Sequence, residues 1–361
     1  MRHFHPLKVL AKEQETRDSI RLALHVPDEL HETFAFQAGQ HLPIEAELGG
    51  KRLRRTYSIC SEPGHWPLEI GIRVQPGGRF SEYAANELSV GDALQVMPPT
   101  GRFHANIDAA ASKYYLGFAA GSGITPILSI ARSVLNNETG SRFALFYGNR
   151  RQASAMFIED LFALKNRYPD RLQLHFVFSR EDQEFPINAG RLDREKVTEV
   201  YRQFCGGDTV DEVFVCGPDT MIDTVIETLV DVGVSKDVIH AERFGAPRRG
   251  TPESANVTQA AIRERSENSF TVTVIMDGHK KSFEMAYDAP NIVDAAAESG
   301  IELPYSCKGG VCATCRTHVR NGTVQMAANY GLEPWELEAG FVLACQSRPQ
   351  SDEVLLDYDK S

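Results

Sequence analysis

Short alternating runs of apolar and polar residues fill the first part of the chain. Runs such as SIRLALHV, HLPIEAEL and LEIGIRV are separated by Gly and Pro, a rhythm typical of antiparallel strands. Because such strands close readily into a barrel, we predict an antiparallel β-barrel, an all-β domain, for residues 1–105.

The pattern changes after Lys113, where near-continuous apolar runs alternate with helical ones. KYYLGFAA, RFALFYG, LQLHFVF and EVFVCG read as buried strands, and PILSIARSVL and MIDTVIETLVDVG read as helices. Buried strands that alternate with helices are typical of a parallel sheet covered on both faces. We therefore predict a doubly wound α/β domain for residues 106–245.

Two further segments complete the chain. Residues 246–268 are rich in small, polar and charged side chains, which predicts a linker. The run SFTVTVIMDGHKKSFEMA predicts a hairpin with Asp277 and Gly278 at its turn, and NIVDAAAESG predicts a short helix. Residues 269–361 therefore form a third predicted domain, in keeping with a length of 361 residues.

Composition narrows the class of protein. Hydrophobic residues make up 42% and charged residues 24% of the chain, as in soluble globular proteins. The net charge of -11 disfavours nucleic acid as a partner, because phosphate binding needs a basic face. The N-terminus lacks an uninterrupted apolar run, and no stretch approaches the length of a membrane span. We expect a cytoplasmic protein without a membrane partner.

Four of the seven cysteines follow a specific pattern. Three are spaced C-x4-C-x2-C and the fourth comes 29 residues later, and the four are Cys307, Cys312, Cys315 and Cys345. This is the plant-type [2Fe-2S] spacing, in which four thiolates hold two irons. Gly309 and Gly310 would let backbone N–H groups turn toward the sulfurs. A structural zinc site is the alternative, although zinc more often uses two separated pairs of cysteines. Cys60 and Cys205 show no partner pattern and are expected to be buried, inert thiols.

A motif in the predicted barrel resembles a known family. In RRTYSICS, Arg55-x-Tyr57-Ser58 matches the flavin-binding R-x-Y-S pattern of the ferredoxin–NADP reductase superfamily. By this resemblance Arg55 would pair with a pyrophosphate, Tyr57 would lie against the isoalloxazine ring, and Ser58 would hydrogen-bond near flavin N5. Alone, an arginine and a tyrosine on a strand are usually surface and packing residues.

The run QPGGRFSEYAANEL lies where that superfamily has a Gly-rich turn before a short helix. Backbone N–H groups at a helix N-terminus suit a flavin phosphate. We therefore assign four candidate flavin-binding residues, namely Gly78, Arg79, Phe80 and Ser81. A plain hairpin turn is the alternative.

Two further turns resemble the nicotinamide site of the same superfamily. The run GSGITP is similar to the G-x-G-I-T-P turn of the ferredoxin reductases rather than to G-x-G-x-x-G. There we expect Thr125 to cap a helix and Pro126 to occupy its first turn. In VFVCGPDTM, Cys216 would face the nicotinamide by the same resemblance, with a buried structural thiol as the alternative. The candidate residues of the two turns are Gly121, Gly123, Thr125, Pro126, Cys216, Gly217 and Pro218.

The choice between the two nicotinamide cofactors rests on a few charged residues. Ser179 and Arg180 end a predicted strand where NADPH users of the superfamily carry a Ser-Arg pair, and Arg150 is nearby in chain order. A guanidinium suits the 2′-phosphate, which favours NADPH. Glu181 and Asp182 follow directly and would instead suit the 2′-hydroxyl of NADH.

The last candidate residue is Phe244, which by resemblance would cover the flavin ring. Aromatic core packing is the equal alternative for this side chain. Ser58 and Cys216 are the residues that we expect to orient the flavin and the nicotinamide for hydride transfer.

The resemblance covers nearly the whole chain: a flavin barrel, a nicotinamide domain and a C-terminal β-grasp (α+β) ferredoxin domain. These are the parts of an oxygenase reductase, and runs such as LPYSCKGGVCATC and NYGLEPWELEAGFVLACQ are most similar to the reductase subunits of phenylacetyl-CoA epoxidase complexes. The resemblance implies an enzyme that passes electrons from NADPH through FAD and a [2Fe-2S] cluster to a di-iron oxygenase. Phthalate-type reductases share the domain order but bind FMN.

Two other functions stay open from the sequence. The chain could serve a different acceptor, such as another oxygenase, a hydroxylase or a hybrid-cluster protein. It could also be a non-enzymatic ferredoxin-type electron carrier whose N-terminal domains only dock to a partner.

Overall fold

The computed structural model describes residues 3–244 and 269–360. These ranges belong to two compact units, one ending at Phe244 and the other containing the C-terminal residues. The predicted linker, 246–268, lies outside the described residues. No helix in the described ranges is long and apolar enough to cross a membrane.

The N-terminal part is a six-stranded antiparallel sheet. The strands are β1 (His5–Thr16), β2 (Ser19–His25), β3 (His41–Leu48), β4 (Lys51–Ser58), β5 (Leu68–Arg73) and β6 (Ala93–Val96), in the order β4-β3-β6-β1-β2-β5. A bridge between Ile59, just beyond β4, and Ile70 of β5 joins the two edges of the sheet. The sheet is therefore a barrel, as predicted.

The core of the barrel is filled by the inward-facing side chains, which are every second residue of the strands. Inward positions such as Leu22, Ile44 and Ile70 are wholly buried, because successive residues of a strand point to opposite faces. The helix α1 (Arg79–Asn86) adds Phe80 and Ala84 to the same core.

The second part of this unit is a five-stranded parallel sheet with the order β11-β10-β7-β8-β9. Its strands are β7 (Tyr114–Ala120), β8 (Arg142–Asn149), β9 (Leu172–Phe178), β10 (Glu212–Gly217) and β11 (Ile239–Arg243). Its helices are α2 (Ile124–Asn137), α3 (Ile158–Arg167), α4 (Arg194–Phe204) and α5 (Asp219–Asp231). Two separate apolar cores pack against this sheet, so the prediction of a doubly wound α/β domain is confirmed.

The barrel and the parallel sheet are packed into one unit through a close approach at Gly71. A Cβ on Gly71 would lie 2.7 Å from the Thr125 methyl group and 2.8 Å from the Phe157 ring. On the neighbouring surface, the Ser129 hydroxyl donates to the carbonyl of Ser61 at 2.6 Å, and Arg132 donates to the carbonyl of Cys60 at 2.9 Å. The helix α2 is thereby fixed to the barrel.

The C-terminal unit has a mixed sheet in the order β13-β12-β18-β14-β16, plus the pair β15-β17. The strands are β12 (Ser269–Met276), β13 (His279–Ala286), β14 (Arg316–Asn321), β15 (Val324–Met326), β16 (Phe341–Leu343), β17 (Ser347–Pro349) and β18 (Glu353–Asp357). The helices are α6 (Ile292–Glu298) and α7 (Pro334–Glu338). Asp277 and Gly278 have φ of 51° and 73°, as a two-residue hairpin turn with two positive φ angles requires.

The three predicted architectures are confirmed: an antiparallel barrel, a parallel sheet with helices and a ferredoxin-type domain. Cys60 and Cys205 are buried, as expected for inert thiols. The limits 1–105, 106–245 and 269–361 stay predictions.

Candidate functional site

The two predicted flavin motifs lie together in the barrel. Tyr57 and Ser58 end β4, and Phe80 lies in the first turn of α1. The rings of Tyr57 and Phe80 are tilted with centroids 5.5 Å apart. Burial raises the pKa of Tyr57, so the phenol stays neutral. Phe80 is itself a core residue, and the partly buried Tyr57 packs against it.

The turn before α1 depends on Gly78. A Cβ there would lie 2.6 Å from the Ser81 hydroxyl and 2.9 Å from the carbonyl of Gln75. The Ser81 hydroxyl donates to the carbonyl of Gly78 and accepts from the N–H of Gln75, at 3.0 and 3.1 Å. In this structure Ser81 therefore shapes the turn.

Two predicted phosphate ligands belong to these motifs. Arg55 on β4 is exposed, and its guanidinium donates to the carbonyl of Arg54 at 2.7 Å. Arg79, the first residue of α1, donates to the carbonyl of Leu48 at the end of β3, also at 2.7 Å. A guanidinium has five N–H donors, so each arginine can also bind an anionic ligand beside its flavin motif.

The two predicted nicotinamide turns meet at Gly123. A Cβ on Gly123 would lie 2.1 Å from the carbonyl oxygen of Cys216, so only glycine permits this approach. Gly121 has a φ of 55°, and its carbonyl accepts from the Tyr147 hydroxyl at 2.9 Å. The close approach brings the carboxyl ends of β7 and β10 together, where ligands of open α/β sheets bind.

The expectation that Thr125 caps α2 is wrong. The residue that precedes the helix is Gly123, and no side chain accepts from the first-turn N–H groups there. The Thr125 hydroxyl instead donates to the carbonyl of Ser122 at 2.8 Å, and its methyl group packs toward the barrel. Pro126 lies in the first turn of α2, as predicted.

The second turn continues from Cys216 into α5. Pro218 precedes the first residue of the helix, and a Cβ on Gly217 would lie 2.7 Å from the Met221 side chain. Cys216 is wholly buried. Burial, and secondarily the charge of Glu242, raises the pKa of its thiol, which is therefore neutral at physiological pH.

A buried carboxylate that the sequence reasoning missed links the two halves of the site. Glu242 on β11 pairs in register with Cys216 on β10, and its side chain is 6% exposed. One carboxylate oxygen accepts from the Ser58 hydroxyl at 3.2 Å, and the other lies 3.2 Å from Nδ1 of His41. Glu242 therefore contacts the flavin motif from the nicotinamide side.

We call Ser58, His41 and Glu242 the junction network. His41 begins β3, pairs with Ser58 in the strand register and is as buried as the carboxylate. A charged residue in the run HAERF, at the carboxyl end of the parallel edge strand β11, was the available signal for Glu242. His41 carries no comparable signal in its strand.

The residues predicted to select the cofactor lie together at another edge of the sheet. β8 and β9 are adjacent, and the N–H of Arg180 donates to the carbonyl of Arg150 at 2.9 Å. Ser179 donates likewise to the carbonyl of Asn149 at 3.0 Å. The guanidinium groups of Arg150 and Arg180 are exposed. The Glu181 carboxylate accepts from the N–H of Gln152 at 2.6 Å.

Phe244 follows β11 and is the last described residue of its unit. Its side chain is exposed, so the alternative of core packing does not hold. Its location two residues after Glu242 places it next to the junction network along the chain.

The four predicted cluster ligands come from one loop and one short turn. Three lie between α6 and β14, and the fourth lies in the 3₁₀ turn Ala344–Gln346. The N–H groups of Gly309 and Cys312 donate to the sulfur of Cys307 at 3.3 and 3.4 Å. The N–H of Gly310 points to the sulfur of Cys345. Both glycines therefore turn their N–H groups toward sulfur, as expected.

The sulfurs occur as two contacting pairs, Cys307 with Cys312 and Cys315 with Cys345. Hydrogen bonding within each pair lowers the pKa of Cys307 and of Cys345 and raises that of the donor thiols, Cys312 and Cys315, so that each pair holds one proton in the absence of iron. Thiolates with backbone N–H donors are the ligands that an iron–sulfur cluster requires. The residues of this loop therefore fit a [2Fe-2S] cluster.

Three known domain families match successive parts of the chain. Residues 6–105 match the oxidoreductase FAD-binding domain, residues 118–227 the oxidoreductase NAD-binding domain, and residues 274–350 the 2Fe-2S iron-sulfur cluster binding domain. The chain is 41% identical to one of the subunits of the 1,2-phenylacetyl-CoA epoxidase of Escherichia coli K12, over 99% of both chains. It belongs to the oxygenase reductases that carry a C-terminal [2Fe-2S] domain.

Other relatives in this family share the whole architecture. The ferredoxin reductase component of the 3-ketosteroid-9-alpha-monooxygenase of Rhodococcus rhodochrous is 33% identical over 98% of this chain and 96% of its own. The solved structure of phthalate dioxygenase reductase superposes with a TM-score of 0.61 and 26% identity over 98% of both chains. The chain is thus an FAD- and NAD-binding oxidoreductase, the reductase component of a multicomponent oxygenase.

Proposed function

We propose that this reductase supplies electrons from NADPH to a di-iron oxygenase that epoxidises phenylacetyl-CoA in the cytoplasm. The observation that carries the proposal is the 41% identity to the subunit of the E. coli epoxidase, which extends over 99% of both chains. The lower identity to the ketosteroid monooxygenase component makes that oxygenase the weaker alternative. The presence of both FAD- and NAD-binding domains also favours a reductase over a simple electron carrier.

The described residues support a division of labour between three regions. Arg55, Tyr57 and the turn at Gly78 would hold FAD, and the turns at Gly123 and Cys216 would hold the nicotinamide cofactor. When bound, FAD accepts a hydride as an electron pair and releases single electrons, which the cluster carries one at a time. The protein contributes positioning: the buried Glu242 fixes the Ser58 hydroxyl, and the Gly123 approach fixes the backbone beside Cys216.

The preference for NADPH rests on the edge formed by Arg150 and Arg180. Two exposed guanidinium groups on adjacent strand ends can bind a 2′-phosphate bidentately. Glu181, the residue that would favour NADH, already accepts a backbone N–H. This bond holds its carboxylate against the turn after β8, which weakens the case for a ribose contact.

Reconstitution tests the proposed function. The purified holoprotein, NADPH and the oxygenase subunits of the E. coli epoxidase should together convert phenylacetyl-CoA to its epoxide in an oxygen-dependent reaction. The reductase component of the ketosteroid monooxygenase, added in its place, is the matched control. If both reductases support epoxidation equally, or if neither does while NADPH reduces ferricyanide, the assignment of this acceptor is wrong.

A further inference from the structure

The helix α7 exposes apolar side chains beside the cluster ligands. Trp335 is 59% exposed, Leu337 on the same helix is 43% exposed, and Tyr330 in the preceding loop is 50% exposed. We call these three residues the α7 face. Among residues 269–360 they are the large apolar side chains most open to solvent. Leaving an indole in water forgoes the free energy that its burial would supply, so the exposure points to an interaction.

The α7 face is fixed to the cluster loop by backbone contacts. The N–H of Tyr330 donates to the carbonyl of Gly310 at 2.9 Å. A Cβ on Gly331 would lie 2.4 Å from the carbonyl oxygen of Val311, so the two backbones touch. The segment that leads into α7 therefore lies directly on the loop that carries Cys307 and Cys312.

A buried ion pair holds the helix itself. Glu336 is wholly buried, and its carboxylate pairs with Arg316, the residue after Cys315. The Glu336 side chain also accepts from the N–H of Glu333, the residue that precedes α7. Because both ends of the pair are restrained, Trp335 is presented from a rigid platform next to the cluster ligands.

The surroundings of the α7 face are acidic. Glu333 and Glu338, at the two ends of the helix, are exposed. The sequence from 321 to 347 contains no Lys or Arg, and residues 269–360 have thirteen Asp and Glu against seven Lys and Arg, a net charge of −6. A protein that binds here would need a basic rim.

We propose that the α7 face is the docking surface for the oxygenase component, which would offer an apolar recess for Trp335 rimmed by Lys or Arg. This inference rests on the proposed function. In the transfer, one electron leaves the reduced cluster and enters the acceptor, and no bond forms or breaks. The acceptor must therefore come close to the cluster, and a rigid exposed tryptophan beside the ligands is a typical binding hot spot.

The flavin domain of the same chain is the competing occupant. It is joined to the cluster domain by the 24 residues between Phe244 and Ser269. Because both domains belong to one chain, their encounter is intramolecular, so transfer within the chain needs little intrinsic affinity. A separate protein lacks that advantage and needs an apolar anchor, which favours the oxygenase as the occupant.

The test uses the full-length holoprotein. It compares electron transfer from the cluster to an external acceptor with reduction of the cluster by NADPH. For Trp335→Ala we expect the concentration of E. coli epoxidase oxygenase that half-saturates NADPH oxidation to rise at least tenfold. Cytochrome c, a basic one-electron acceptor, should show at least a threefold rise. The rate at which NADPH reduces the cluster, followed by its visible absorbance, should stay within twofold of the wild type.

Matched variants distinguish a loss of docking from a loss of folding or of the cluster. Trp335→Phe should restore most of the affinity, and Val90→Ala, which alters a similarly exposed apolar residue of the barrel unit, should have no effect. Glu338→Gln should weaken binding of both acceptors about twofold, and less so at high salt, whereas Glu353→Gln on β18 should not. Cluster absorbance and the thermal midpoint report whether each variant is folded.

Three outcomes are decisive. Unchanged half-saturation by both acceptors overturns the docking surface, and so does a loss of cluster reduction in parallel with the loss of oxygenase coupling, since that would assign the face to the flavin domain. If the wild type fails to couple to the epoxidase oxygenase but Trp335→Ala still weakens cytochrome c reduction, the proposed function fails and the docking surface stands.

Discussion

The cluster loop, which carries Cys307, Cys312 and Cys315, and the junction network differ in how far apart in sequence their interacting residues lie. In the cluster loop, three ligands lie within nine residues, and the sulfurs of Cys307 and Cys312 accept from backbone N–H groups of the same loop. In the junction network, Glu242 meets Ser58 and His41 across 184 and 201 residues. The first arrangement is encoded locally, whereas the second exists only when the barrel and the parallel sheet are packed together.

The difference predicts how each region fails. A change in the cluster loop should remove one carrier and leave the flavin half working. A change at the junction should disturb the packing of two domains and the reaction between two cofactors at once.

The largest expected effect is that of Cys312→Ser, which replaces a thiolate ligand with a poor one. We expect loss of the cluster's visible absorbance and an about hundredfold fall in NADPH-dependent cytochrome c reduction. Reduction of ferricyanide, which can take electrons from the flavin, should stay within twofold. Cys205→Ser, a change at a buried thiol accepting from Tyr114, is the control and should retain the cluster. Retained cytochrome c reduction with loss of bound zinc alone would instead indicate a zinc site.

Gly123→Ala tests the backbone approach on which the junction depends. The added Cβ would lie 2.1 Å from a carbonyl oxygen, so one of the two turns must move. We expect the free energy of unfolding of this unit to fall by about 3 kcal/mol in urea titrations, with slower flavin reduction by NADPH. Gly148→Ala is the comparison, because its Cβ would meet nothing closer than the end of the Leu192 side chain at 3.3 Å. Equal losses in the two variants would contradict the role of the close approach.

Glu242→Gln tests the junction network without altering its shape. The amide keeps one acceptor oxygen but loses the charge and the second acceptor, so Ser58 and His41 can no longer both donate to it. We expect flavin reduction by NADPH in stopped flow to slow about tenfold, equivalent to about 1.4 kcal/mol, with flavin content unchanged.

Glu138→Gln is the matched control for that experiment. Glu138 is a wholly buried carboxylate that accepts from the hydroxyls of Tyr115 and Ser141, at 3.0 and 2.7 Å. Its replacement should lower the thermal midpoint but leave the rate of flavin reduction unchanged. If both variants slow the reaction alike, Glu242 acts through stability alone.

The smallest expected effect concerns the cofactor edge. Arg180→Ala should raise KM for NADPH about fivefold, since one solvent-exposed charge-assisted hydrogen bond is lost, and should leave KM for NADH nearly unchanged. Arg202→Ala, which removes an exposed guanidinium from α4, should change neither value. Equal behaviour with both cofactors would remove the proposed preference for NADPH.

Much of the fold was predictable from periodicity. Alternating runs gave the barrel strands, continuous apolar runs gave the parallel sheet, and Asp277 and Gly278 marked a hairpin that has the required positive φ angles. The cluster ligands were also predictable, because the loop supplies the spacing, the thiols and the N–H donors from consecutive residues.

Other parts of the site depend on tertiary packing and were missed or misread. His41 lies on an ordinary strand, and only the register with Ser58 and the approach of β11 give it a carboxylate partner. Thr125 was expected to cap α2 because Thr is a common capping residue. It instead lies inside the helix and fills the space left by Gly71 of the barrel.

That contact at Gly71 also bears on how reductases of this kind can exchange parts by recombination. A crossover between the barrel and β7 would combine β5 from one parent with α2 from another. If the β5 parent carried a residue other than glycine at position 71, its side chain would collide with Thr125 and Phe157. A crossover between 244 and 269 separates none of the contacts described above. Flavin and nicotinamide modules should therefore be inherited together.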